Sequence, residues 1–172
     1  MRPRAFVLAV VLAGCATTAP EKPAPIPDTL AAPLGQRLVL KARAVGYQIY
    51  ECRASADPAK HEWTFKAPQA DLYDAGGTRI ATHYAGPTWE SLDGSKVVGE
   101  VTARDDGPDA GAIPWLLLAS KSNSGTGLFG SVKSIQRVYT VGGKAPAEVC
   151  DEAHAGQLAR VPYRATYNFY GT

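Results

Sequence analysis

From residue 36 onward, apolar and polar residues exchange places at nearly every step. Leu38, Leu40 and Ala42 alternate with Arg37, Val39, Lys41 and Arg43. A period of two marks a half-buried strand, because successive side chains point to opposite faces of a sheet. The pattern predicts strands over 36–44, 45–52, 61–67, 70–73, 79–84, 96–104, 113–119, 132–141 and 161–170. In 45–52, Tyr47 and Ile49 share one face and Gln48 and Tyr50 the other. The stretch 113–119 (IPWLLLA) is the most apolar of the set, and its length fits a buried strand better than a helix. The last strand alternates cleanly, with Val161, Tyr163, Ala165, Tyr167 and Phe169 against Arg164, Thr166 and Asn168. Turn residues separate the runs: Asp57-Pro58, 74–77, Gly86-Pro87, Asp93-Gly94 and 105–111. About nine short strands with frequent turn signals predict one all-β domain, an antiparallel β-sandwich or barrel. No stretch sustains a helical period, and at most one short helix is expected, over 147–157.

Residues 1–33 break this pattern twice. Arg2 and Arg4 precede an apolar run over 5–13, as in the leader of an exported protein. The run ends in Leu12-Ala13-Gly14-Cys15, which resembles the lipobox of bacterial lipoproteins. That resemblance implies a signal peptide over 1–14 and a lipidated Cys15 that holds the chain on a membrane. Ala16 stands where an aspartate marks inner-membrane retention, so the periplasmic face of the outer membrane is expected. Residues 15–33 then form the lipidated cysteine and an Ala/Pro-rich tether with nothing to pack, and the folded domain is expected over 34–172.

Charge and cysteine content narrow the function classes. The chain has 18 basic and 16 acidic residues, and loss of Arg2 and Arg4 with the leader balances them. A nucleic-acid binder needs a basic excess to neutralise phosphates, so none is expected as a partner. With Cys15 lipidated, Cys52 and Cys150 remain in an oxidising compartment, and a disulfide between them is expected. Two cysteines and three histidines make a zinc site improbable on chemical grounds, and no metal or other cofactor is expected.

The segment 83–95 (HYAGPTWESLDGS) is the densest in groups able to bind or react. His83, Glu90 and Asp93 are the catalytic candidates, since two carboxylates near an imidazole suit hydrolysis. Against them, Asp93-Gly94 is an ordinary turn pair and no second histidine stands at ligand spacing. Trp63 and Trp115 read as core, whereas Trp89, next to Gly86-Pro87, reads as the exposed tryptophan. Arg137 shares a strand face with Ile135, Tyr139 and Val141, so its charge needs a partner: a structural carboxylate, Glu51 first and Glu90 second, or, as the alternative, an anion that the arginine recognises. His83, Trp89, Glu90 and Arg137 are therefore the binding candidates. The run 125–130 (GTGLFG) matches G-x-G-x-x-G, but a strand pattern follows it where a dinucleotide site needs a helix. It reads as a hairpin loop, and no nucleotide cofactor is expected. No G-x-S-x-G elbow is present.

Six segments also resemble a known family: YQIYEC (47–52), WTFKAPQADLYDAGG (63–77), HYAGPTWESLDGS (83–95), IPWLLL (113–118), IQRVYTVGGKAP (135–146) and YRATYNFY (163–170). In that order they resemble a bacterial and fungal domain-of-unknown-function family, number 3455. The resemblance implies an exported β-rich domain and carries no catalytic residue with it. Two function classes stand: a non-catalytic binding or structural module of the cell envelope, which is favoured, and a hydrolase or lyase acting on an envelope glycan or other polymer.

Overall fold

The alternation closes on itself. The computed structural model describes residues 22–57 and 59–172. Eight strands follow one another as β1 Arg37–Ala54, β2 His61–Tyr73, β3 Arg79–Tyr84, β4 Thr88–Ser91, β5 Lys96–Asp105, β6 Trp115–Ser124, β7 Val132–Gly142 and β8 Leu158–Gly171. Each pairs antiparallel with the next, and β8 returns to β1 to complete a barrel. The all-β expectation holds, but the count falls from nine to eight. The segments 36–44 and 45–52 are one strand, since no turn residue separates them, and 61–67 and 70–73 are also one, with Pro68 carried inside β2 opposite Gln48. The added strand, β4, lies inside the segment that composition marks as turn. A closed barrel with every neighbour antiparallel requires an even number of strands, so the two mergers and the addition belong together.

The interior takes one residue in two from each strand. Ala42 and Ala44 of β1 and Tyr163, Ala165, Tyr167 and Phe169 of β8 share the core with Leu72, Ala81, Trp89 and Ile135. Small residues on β1 to β3 make room for the aromatics. Gly99 on β5 serves the same end, since a Cβ there would stand 2.9 Å from the Trp89 ring. Trp89, Tyr167, Phe169 and Phe129 then pack edge to face or tilted, with centroids 4.8–6.3 Å apart, the arrangement ring quadrupoles favour.

One end of the barrel is plugged. The β6–β7 loop folds inward and buries Phe129 completely. Its backbone is held by Asp93, which accepts from Leu128 N–H at 2.8 Å, and by Ser95 Oγ, which accepts from Phe129 N–H at 3.0 Å. The G-x-G-x-x-G run is this loop. A Cβ on Gly127 would collide with the Asp93 carboxylate, so the glycine serves packing against the β4–β5 turn.

Within the segment expected to be an unpacked tether, residues 24–30 instead pack against the barrel. A 3₁₀ turn over Asp28–Leu30 places Leu30, fully buried, against Trp115, Leu117 and Val138, with Ala24 and Ile26 alongside. Gln136 Nε2 donates to Leu30 O at 2.6 Å. Pro27 and Ala31 flank the turn in extended, polyproline-like geometry (φ −59°, ψ 145° and φ −60°, ψ 143°), which needs no backbone partners. This strap explains why 113–119 is apolar without alternation. Leu116 and Leu118 face the barrel interior, while Trp115 and Leu117 face outward and lie beneath the strap.

Cys52, near the end of β1, is bonded to Cys150 in the β7–β8 connection, with a Cα–Cα distance of 5.6 Å. The helix expected over 147–157 is reduced to a 3₁₀ turn at Glu152–His154, capped by Asp151. The expected signal peptide over 1–14 and the expected lipid attachment at Cys15 lie outside the described residues.

Candidate functional site

The other end of the barrel is open. A cavity of about 600 Å³ enters between the β1–β2, β3–β4 and β5–β6 ends, within the ~300–1,000 Å³ usual for small-molecule sites. Of the stacked aromatic column, His83, Trp89 and Tyr167 line the cavity and Phe129 and Phe169 do not, so the first three are its floor. Phe65, Val101, Ile113, Leu116 and Leu118 contribute apolar wall.

His83 is on β3 and pairs across the hairpin with Trp89 on β4, so both face inward at the same level. Their rings stack at 4.3 Å and 7°. His83 Nδ1 stands 2.9 Å from Thr88 O. A carbonyl only accepts, so Nδ1 carries a proton. Burial pushes the pKa down to about 3, and the charge of Arg137 acts in the same direction. A base held that far down does not take up a proton at neutral pH. His83 is a neutral, stacked floor residue.

The expectation that Trp89 is exposed is overturned: it is 1% exposed. The Gly86-Pro87 turn is short enough that the ladder is already formed at Thr88, and alternation then carries Trp89 inside. Of the other two tryptophans, Trp115 is buried under the strap, whereas Trp63 is partly buried and donates Nε1–H to Glu148 O at 2.9 Å.

Glu90, one step from Trp89, faces the opposite way. Tyr84 OH donates to it at 2.7 Å and Lys96 Nζ lies 3.2 Å away. These two contacts hold its carboxyl below the usual range. Asp93 sits at the plugged end, where hydrogen bonds from Ser95 and then Leu128 bring its carboxyl down to about 2. The three residues proposed as a hydrolytic set thus occupy the floor, the outer face and the far end of the barrel. They do not converge.

Arg137 is the site residue whose surroundings differ most from expectation. Neither Glu51 nor Glu90 reaches it. Glu51 is on the outer face, bonded to Arg53 at 2.5 Å and Lys66 at 2.9 Å. The interior face of β1 is that of Gln48 and Tyr50, not that of Tyr47, Ile49 and Glu51. Arg137 is inside with them, half-buried, and donates Nε–H and Nη2–H to Pro114 O at 3.1 and 2.9 Å. A bulge between Val138 and Val141 follows at once, with Tyr139 at φ 52°. Val138 already shares the strap-side face of Gln136, and the bulge turns Tyr139 outward beside it to Trp115, a usual way for one strand to serve both faces.

Gln48, Tyr50 and Tyr167 join the candidate residues. Gln48 was concealed by its polarity, which alternation assigns to solvent. Tyr50 donates to Gly143 O at 2.7 Å. Burial raises the pKa of Tyr50 and Tyr167, with Arg137 opposing it in both, so both phenols remain protonated at neutral pH. Gln48 Nε2, Trp89 Nε1 and Tyr167 OH are buried and have no hydrogen-bond partner among the described residues. Among the described residues, the lining holds the cations Lys66, Arg104 and Arg137 and no carboxylate. Lys66 and Arg104 are engaged by Glu51 and Asp106 at the rim. Among the described residues, no cluster of His, Cys, Asp and Glu is grouped to hold a metal ion.

The model of the family described as protein of unknown function (DUF3455) matches residues 33–82 and 75–171, and the chain belongs to that family. No curated protein and no solved structure matches it.

Proposed function

We propose that this member of the family is a non-catalytic binding module that takes a small organic molecule into the open end of its barrel. The observation that carries the reading is the floor. Gln48 Nε2, Trp89 Nε1 and Tyr167 OH are each buried without a partner at the base of an accessible cavity. An unpaired buried polar group costs about 1–3 kcal/mol, and three around one cavity are relieved together when a molecule with acceptor atoms enters. An eight-stranded barrel has an interior just wide enough for one small ligand. The separation of His83, Glu90 and Asp93 removes the arrangement on which the hydrolase or lyase reading depended. The envelope setting, with Cys15 as lipid anchor, is part of the same proposal and rests on the lipobox-like 12–15 segment.

The test uses N-phenylnaphthylamine, a neutral dye that brightens in apolar surroundings. It should bind the full chain saturably and one to one. Val101→Trp, at the half-exposed wall of the cavity, should abolish that signal without lowering the melting temperature. Saturable binding unchanged by Val101→Trp would place the dye elsewhere, and absence of saturable binding would refute the cavity as a site.

A further inference from the structure

The ligand class is written in the charge balance of the cavity. Resting on the binding reading above, we infer that the barrel takes an organic monocarboxylate on a compact apolar body, with its carboxylate on Arg137, Trp89 and Tyr167. Among the described residues Arg137 has no carboxylate partner: it donates to a neutral carbonyl, Pro114 O, and lies beside the uncharged Tyr167 hydroxyl. That carbonyl occupies Nε–H and one Nη2–H, leaving the Nη1 pair and the second Nη2 hydrogen free. A guanidinium half-buried in an apolar barrel without a counter-ion is costly, and a carboxylate presents two oxygens at the spacing of its fork.

The neighbours select the same group. Trp89 Nε1 and Tyr167 OH, both unpartnered and at most 1% exposed, are donors that an anion satisfies. Arg137 stands close enough to Tyr167 to act on its ionisation. Among the described residues no acid lines the cavity to repel an anion or to compete for Arg137. The site offers one uncompensated charge, because Lys66 and Arg104 already have carboxylate partners. A monoanion balances that charge, whereas a phosphate monoester brings a second negative charge with nothing to meet it. Phe65, Val101, Ile113, Leu116 and Leu118 above the floor are suited to hydrocarbon and give the apolar part of the ligand its place.

Calorimetric titration of the full chain with decanoate, decanol and acetate separates the contributions. Decanoate should bind at least about tenfold more tightly than decanol, the return expected from a charged hydrogen-bonded pair. Acetate, lacking the apolar body, should bind weakly. Arg137→Gln should bring decanoate down to the level of decanol while N-phenylnaphthylamine binding persists, and Arg137→Lys should recover part of the difference. Equal affinity for decanoate and decanol in the unaltered chain overturns the ligand class and leaves the cavity reading standing. A decanoate preference that survives in dye-competent Arg137→Gln overturns the assignment to Arg137. If neither the dye nor decanoate binds, both readings are overturned. Should Arg137→Gln fail to fold, the decanoate and decanol comparison on the unaltered chain decides alone.

Discussion

His83 offers the sharpest check on the floor of the cavity. Its imidazole is buried, neutral and stacked on Trp89, with a pKa lowered from 6.5 to about 3. In the unfolded chain the same group titrates near its ordinary value. Below pH 6.5 the unfolded state therefore binds a proton that the folded state refuses, and stability falls as pH falls. The full shift, from 6.5 to about 3, corresponds to about 5 kcal/mol at 1.36 kcal/mol per unit. Between pH 7 and pH 5 the expected loss is about 2 kcal/mol, or roughly 6 °C of melting temperature for a domain of this size. Stopping at pH 5 keeps the measurement above the range where Asp93, with its carboxyl brought down to about 2, begins to contribute. His83→Phe keeps an aromatic ring against Trp89 and cannot titrate. It loses the Thr88 hydrogen bond at every pH, which shifts its curve without tilting it. Melting curves of both chains at pH 7, 6 and 5 are the assay, and the difference between their pH slopes isolates His83 from every other group. The unaltered chain should lose about 2 kcal/mol more than the variant across that range. Parallel slopes would falsify the buried neutral imidazole, and with it the description of the floor.

Three further outcomes are expected. Leu30→Ala should lower stability by about 2 kcal/mol and shift tryptophan emission to the red, because the strap lifts from Trp115; an unchanged spectrum and melt would show that the strap does not hold. Replacing Cys52 and Cys150 by serine opens a cross-link with a sequence separation of 98, for which the loop-entropy model gives about 4.7 kcal/mol. The urea midpoint should fall accordingly, and a midpoint indifferent to both the substitution and added reductant would count against the bond. Cys15→Ala should move the chain from the membrane fraction to the soluble fraction of expressing cells, and membrane retention would refute the lipid anchor.

The barrel was legible where one face is covered and the other wet. In β8 the alternation of Tyr163, Ala165, Tyr167 and Phe169 is the inward face as read. It was less legible where both faces are covered. Trp115 and Leu117 look like core beside Leu116 and Leu118, yet they are separated from them by the sheet and belong to the strap cluster. The strap itself could not be read from composition, because two apolar residues, Ile26 and Leu30, carry it through a proline-rich segment. Strand parity was the main obstacle at the site. Tyr47 and Tyr50 put an aromatic on each face of β1, so pattern alone did not say which face is inside. Choosing the Tyr47 face brought Glu51 to Arg137; the fold puts Gln48 there instead.

Parity also accounts for the segment 83–95, whose density of reactive groups came from topology rather than from a shared site. Two tight hairpins in thirteen residues need Gly86-Pro87 and Asp93-Gly94, and the short β4 between them must alternate. His83 and Trp89 consequently face in, Glu90 faces out, and Asp93 meets the plug loop. A second consequence concerns what does share the cavity. Gln48, Trp89, Arg137 and Tyr167 come from β1, β4, β7 and β8, and no short sequence window contains two of them. In a closed barrel the residues that meet around a central cavity are contributed by different strands, so these four are dispersed along the chain, while partners across one tight hairpin, such as His83 and Trp89, still meet there. A dense run of polar residues in such a fold is better evidence of a turn than of a site. An isolated arginine on an otherwise apolar strand face is the stronger pointer, because its charge must be met by something the strand does not carry.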